Sequence, residues 1–200
     1  MTDSPLLLTG DTTAPDTTTG ATPWATDYSE VCLLRALMYS RYADVLTMCS
    51  DRPVEALQAD SRRLILTTLL QAAHAAVDAG HGQRAVSPAA VLARLSAMSG
   101  TVALDAVTTY LPEALAGEVR GAHATTPAVH EAPLIWDAVE RAYLLREVES
   151  HGYALVAAAE NGDPSILTAE VARGERLRAL AARVGITTRP LIVTEGSTAA

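Results

Sequence analysis

The stretch PLIWDAVERAYLLREVESHGYALVAAAENGDPSILTAEVARGERLRALAARV, residues 133–184, decides the fold. Asn161, Gly162, Asp163 and Pro164 are four breakers in a row, so the stretch divides in two. In the first part Ile135, Val139, Ala142, Leu145, Val148, Gly152, Leu155 and Ala159 recur at helical spacing. In the second, Leu167, Val171, Leu177, Leu180 and Val184 do the same. The spacing predicts a helix from about Pro133 to Glu160, ~42 Å long at 1.5 Å per residue. A second helix is predicted from Ser165 to Val184. Two long amphipathic helices joined by so short a turn read as an antiparallel hairpin.

Upstream of the hairpin the pattern stays helical. Asp27 reads as an N-cap, with Glu30 three residues on completing a capping box. Val31, Leu34, Leu37 and Met38 follow on one face. A short helix is predicted over Tyr42 to Cys49, interrupted by Asp51-Arg52-Pro53. A long one follows from Asp60 to Ala79. Its predicted buried side is Leu64, Ile65, Leu69, Ala72, Ala73, Ala76 and Val77, and Gly80 is its natural stop. Ser87-Pro88 is an N-cap followed by proline at the first helical position, which opens a fourth helix to about Met98. A fifth is predicted near Ala103 to Tyr110, ending around Pro112. Residues 117–130 read as a polar connection. No segment of 27–185 reads as a strand, and no internal repeat is present. The expected class is all-α, an orthogonal bundle of about five helices (27–116) followed by the hairpin (131–185).

Residues 1–26 are rich in Thr, Asp, Gly and Pro and have no hydrophobic period, the composition of a disordered tail. Residues 186–200 read as a flexible C-terminal tail, with Leu191-Ile192-Val193 its one apolar run. Trp24 stands in the polar N-terminal segment just before the first cap, placed to staple that segment onto the domain.

Composition excludes several chemistries. Hydrophobic residues are 49% of the 200, enough for a core, with 19% charged and no phenylalanine. All 15 basic residues are arginine. With no lysine there is no phosphate-loop lysine, no Schiff base and no kinase ion pair. GxGxxG, HExxH and GxSxG motifs are also absent. The net charge is −8, and the first thirty residues contribute five acids and no base. Nucleic-acid surfaces carry a basic field, so strong direct DNA binding is not expected. Two cysteines, Cys32 and Cys49, cannot build a four-ligand zinc site, and Cys32 in an apolar run reads as a small buried hydrophobe. No leader pattern and no ~20-residue apolar span is seen, so the expected compartment is the cytoplasm, with no membrane contact.

The remaining polar residues offer few sites. His123 and His130 lie seven apart in a connection, a poor metal pair, and His74 sits on the long third helix. Glu140 and Glu147 are one heptad apart, yet with Asp137, Glu149, Arg141 and Arg146 interleaved they read as a solvated face. Arg173, Arg176, Arg178 and Arg183 on the last helix read as a solvated face or a dimer rim, with a phosphate or an acidic partner as the alternative. Trp136 reads as core or as a partner-facing anchor.

The order of these helices resembles the N-terminal domain of DnaB-type replicative DNA helicases. Ser29-Glu30-Val31-Cys32-Leu33-Leu34-Arg35-Ala36-Leu37 is similar to that family's opening helix, with Ala36 where glycine is common. Arg62-Arg63-Leu64-Ile65-Leu66 resembles its H-R-x-I-F segment. Gly80 with Ala85-Val86-Ser87-Pro88-Ala89-Ala90-Val91 resembles G-x-P-V-D-x-x-T-V. Gly100 to Tyr110-Leu111 parallels its "G…AYL", and Leu144-Leu145-Arg146 its "LLRR". The usual paired glycine before the "AYL" segment is missing and Pro112 intrudes.

The resemblance implies a helical globule and hairpin that self-associate and take part in binding primase, without the ATPase motor. It carries over no catalytic, cofactor or metal residue. The expectation is a non-catalytic interaction module that needs no cofactor. It forms a homo-oligomer through the hairpin and has primase or replicative helicase as partner. The candidate interface is Ile135, Trp136, Val139, Leu145, Val148, Leu155, Val171, Leu177 and Leu180. Two alternatives compete: a DNA-binding regulator reading with Ser87 to Ala97, where Arg94 is the only charge, and an enzyme built on His74 with nearby carboxylates.

Overall fold

The computed structural model describes residues 23–116, 118–119, 122–123, 131–162 and 164–186. The expectations for the N-terminal tail, Leu191-Ile192-Val193, His130 and the Trp24 side chain lie outside the described residues. The class is all-α. Helices α1 (Pro23–Met38), α2 (Tyr42–Cys49), α3 (Asp60–Asp78), α4 (Pro88–Ser96), α5 (Thr101–Asp105), α6 (Leu111–Ala116), α7 (Ala132–Asn161) and α8 (Pro164–Arg183) follow in order. A 3₁₀ turn at Val54–Ala56 links α2 to α3. Between α6 and α7, Glu118–Val119 (β1) and Ala122–His123 (β2) pair antiparallel, a two-residue ladder where no strand was expected.

Local chemistry explains most boundaries. At the end of α3, Gly80 adopts φ +75°, and the His81 and Gly80 N–H groups donate to the Ala76 and Val77 carbonyls at 2.7 and 2.9 Å. That reciprocal pair satisfies two orphan carbonyls. At the start of α4 the Ser87 hydroxyl accepts from the Ala90 N–H at 3.2 Å. Two boundaries differ from expectation. α1 begins at Pro23, so Asp27 and Glu30 lie inside it and cap nothing. Past Tyr110 the chain does not stop at Pro112. A π-helical turn at Ala106–Tyr110 joins α5 to α6. The wider turn shifts the bonding frame just ahead of a proline that would otherwise clash with the preceding carbonyl.

The main core is assembled from α1 (Leu33, Leu34, Leu37), α3 (Ile65, Leu66, Leu69), α4 (Val91, Leu95) and α6 (Leu111, Ala114). The first two turns of α7 add Trp136 and Val139. On α3, Leu64 and Ala76 are half-buried and Val77 is exposed, so its buried face is rotated toward Leu66 and Arg62. A second, smaller cluster joins Leu144 of α7 to Leu177, Leu180, Ala181 and Val184 at the end of α8, with Tyr143 packed against both clusters. α7 therefore belongs to the globule over its first turns and pairs with α8 beyond them. The side-chain contacts Glu140–Arg183, Glu147–Arg173 and His151–Glu170 descend along α8 as they ascend α7, so the two helices run antiparallel.

This division of α7 has a measurable consequence. Trp136→Ala is expected to destabilise the protein by about 3–5 kcal/mol, because a fully buried ring leaves a cavity. Leu145→Ala, on the outer face of the same helix, is expected to change stability by less than about 0.5 kcal/mol in a chain without a partner. Urea unfolding of the two variants measures both.

Candidate functional site

Two ion networks, each built around a buried charge, organise the polar residues. In the first, the Arg62 guanidinium of α3 donates to Glu30 at 2.8 Å and Asp27 at 2.9 Å, with Glu113 of α6 at 3.6 Å. It lies 4.9 Å from the centre of the Tyr110 ring, a cation–π contact. Glu30 also accepts from the Gln58 N–H at 2.6 Å. Burial opposes the charge on Arg62, but the bonds to Glu30 and Asp27 outweigh it and hold its pKa above the ordinary value. The two carboxylates expected as a cap are thus spent on a cation of another helix.

In the second network, Arg52 pairs with Asp137 at 3.0 Å and with Glu140. Glu140 is fully buried and also meets Arg183 of α8 at 2.9 Å, while Arg183 donates to the Asp51 carbonyl at 3.0 Å. Arg173 takes Glu147 at 2.9 Å and the Ser150 hydroxyl at 3.1 Å. The reading of Glu140 as part of a solvated face is overturned, since it is fully buried between two arginines, whereas Asp137 and Glu147 keep solvent contact and each also meets an arginine of a neighbouring segment. Among the described residues no cluster of His, Cys, Asp and Glu is arranged to hold a metal ion.

His74 is exposed on α3. A cavity of about 370 Å³ lies between α1 and α7, bounded by Tyr28, Cys32, Glu131 and Leu134. A second, of about 290 Å³, is bounded by Tyr143, Glu147, Arg173, Arg176 and Arg183. Neither is lined by a histidine. Both cysteines are free and buried. Burial raises the Cys32 thiol and pushes Cys49 up to about 11, against the pull of its contacts with Trp136 and Arg52. A thiol so protonated is a poor nucleophile.

The candidate interface residues fall into two groups. Trp136 and Val139 are buried in the main core, and Leu177 and Leu180 in the second cluster, so these four are corrected to core: they present no surface to a partner. Ile135 packs half-buried against the main core. Leu145, Val148 and Val171 are exposed by 53, 49 and 64%, and Leu155 is half-exposed. The structure adds three residues the sequence reading passed over: Leu134 and Tyr153, each 72% exposed, and Val156, 59% exposed. The signal for Leu134 was present in the sequence. Stepping from it by alternate fours and threes reaches Leu145, Val148 and Leu155, but Arg141 and Gly152 interrupt the apolar character of that series.

No protein-family model, no curated protein and no solved structure matches the chain. No helix among the described residues is long and apolar enough to cross a membrane.

Two measurements test the networks. Glu140→Ala leaves Arg52 and Arg183 facing each other without their shared carboxylate. It is expected to cost about 3 kcal/mol in urea unfolding, the low end for breaking a buried pair because both arginines keep some solvent contact. Alkylation of Cys49 in the native protein is expected to stay slow through pH 9, where roughly one thiol in a hundred is ionised at a pKa of about 11, and to rise only as pH approaches that value. Mass spectrometry after timed iodoacetamide quenches reads the site directly.

Proposed function

We propose that this chain is a non-catalytic, cytoplasmic interaction module that self-associates through the outer face of α7. The observation that carries the reading is the exposed apolar face itself. Leu134, Leu145, Val148, Tyr153 and Val156 all stand on one helix, each at least 49% exposed, while the opposite side of that helix is satisfied by core and ion pairs. Large apolar side chains left exposed along one face of a folded chain mark an interaction site. The ordered likeness to the N-terminal domain of DnaB-type replicative helicases supports primase or a replicative helicase as the second partner. That part of the proposal rests on helix order and motif spacing.

Light scattering on a sizing column tests it, with the protein alone and then mixed with host primase and helicase. The expected result is a dimer or larger species that co-elutes with one of the two. Leu145→Asp and Val148→Asp are each expected to give monomers without loss of helical signal, because a charge placed in an apolar contact is left unpaired. A wild-type monomer that binds neither protein removes the reading.

A further inference from the structure

Beyond the residues it buries, α7 carries a periodicity that the fold of one chain leaves unused. Starting at Leu134, alternate steps of four and three residues lead to Ala159, and every residue on that path is wholly or partly exposed. This is the heptad spacing of a coiled-coil seam, sustained over ~38 Å of helix. Supercoiling of two such helices keeps a 3.5-residue repeat facing its partner along the whole length.

The side chains on the seam specify what partner and which orientation. We propose that the occupant is α7 of a second copy, running antiparallel about a two-fold axis between positions 146 and 147. The proposal rests on the self-association put forward above and names its geometry. In this register each large seam residue meets a smaller one. Leu134 faces Ala159 of the other copy, Leu155 faces Ala138, Arg141 faces Gly152, and Leu145 faces Val148. Every pair occurs twice, as a two-fold interface requires. Apart from its chain neighbours and its own helix backbone, Gly152 has no atom within 4 Å of where a Cβ would stand, so the space for the Arg141 side chain is open. Glu149 of the other copy lies one turn from that glycine. Among the described residues the Arg141 and Glu149 side chains make no hydrogen bond or ion pair with another side chain, and the register brings them together.

The other arrangements match less well. A parallel pair stacks Arg141 on Arg141, a like-charge contact in an apolar seam, and sets Gly152 against Gly152 and Ala138 against Ala138, leaving voids. Sliding the antiparallel pair by one heptad in one direction places Arg141 against Leu145. Sliding it the other way pairs Leu134 with a position beyond the end of α7.

Cysteine cross-linking of the full-length chain tests the register, since native Cys32 and Cys49 are buried. A chain carrying Leu134→Cys is mixed with one carrying Ala159→Cys and oxidised. The expected product is the mixed cross-linked dimer, with none from Leu134→Cys alone, because the two 134 positions stand ~38 Å apart across the axis. A dimer by light scattering that links 134 to 134, or links neither pair, overturns the antiparallel register while self-association stands. A monomer overturns both. Gly152→Leu adds a readout that misfolding cannot imitate. It is expected to raise the melting temperature of the Leu145→Asp monomer, because leucine replaces a helix-interior glycine in open space. In the otherwise wild-type chain it is expected to weaken the dimer at least tenfold by filling the space for Arg141. A Gly152→Leu dimer as tight as wild type overturns the proposal.

Discussion

A single buried carboxylate ties the molecule together. Glu140 is fully enclosed, and it is shared by Arg52, just ahead of the 3₁₀ turn, and Arg183, at the end of α8. A lone charge in that position would be driven out to water, so the two arginines and the carboxylate must arrive together. Their meeting fixes the rotation of α7 about its axis. With Glu140 inward, Trp136 and Val139 enter the main core, Leu144 enters the second cluster, and Leu134, Leu145 and Val148 are turned to solvent. The outer face of α7 is therefore a consequence of where its ion pair points.

The Arg62 network has the same logic within the globule. Asp27, Glu30 and Glu113 come from two helices and converge on one guanidinium that also covers the Tyr110 ring. Ion pairs of this kind contribute less net stability than apolar packing of equal volume, but they penalise misregistered neighbours strongly. A chain rich in alanine and without phenylalanine has many ways to slide one helix over another. Two ion networks centred on buried charges disfavour registers that would leave those charges unpaired.

Much of this was legible from residues alone. Breakers at 161–164 separate α7 from α8, the Ser87-Pro88 cap starts α4, and Gly80 stops α3, because each acts through its own backbone within a turn of itself. Pro112 misled for the same reason in reverse. Its local effect is helix-breaking, and only the π-helical turn ahead of it, held by packing of Ala106 and Leu111, lets the helix continue. The interface candidates were half legible. The apolar stripe of α7 was visible, but 135–139–142 and 134–141–145 are both helical series, and a count of hydrophobic residues does not choose between them.

The sequence by itself determined the all-α class, the helix order and the exclusion of lysine chemistry, since these follow from composition, periodicity and capping within a few residues. Tertiary structure alone decided which face of α7 is covered, that Asp27 and Glu30 are ion-pair partners and not caps, and that Glu140 is a buried ion-pair partner and not a solvated charge. Those outcomes depend on groups as far apart as 132 residues in the chain, as in the Arg183 bond to the Asp51 carbonyl. A charge shows its role only when the group that neutralises it has been brought within a few ångströms, and no local pattern records that distance.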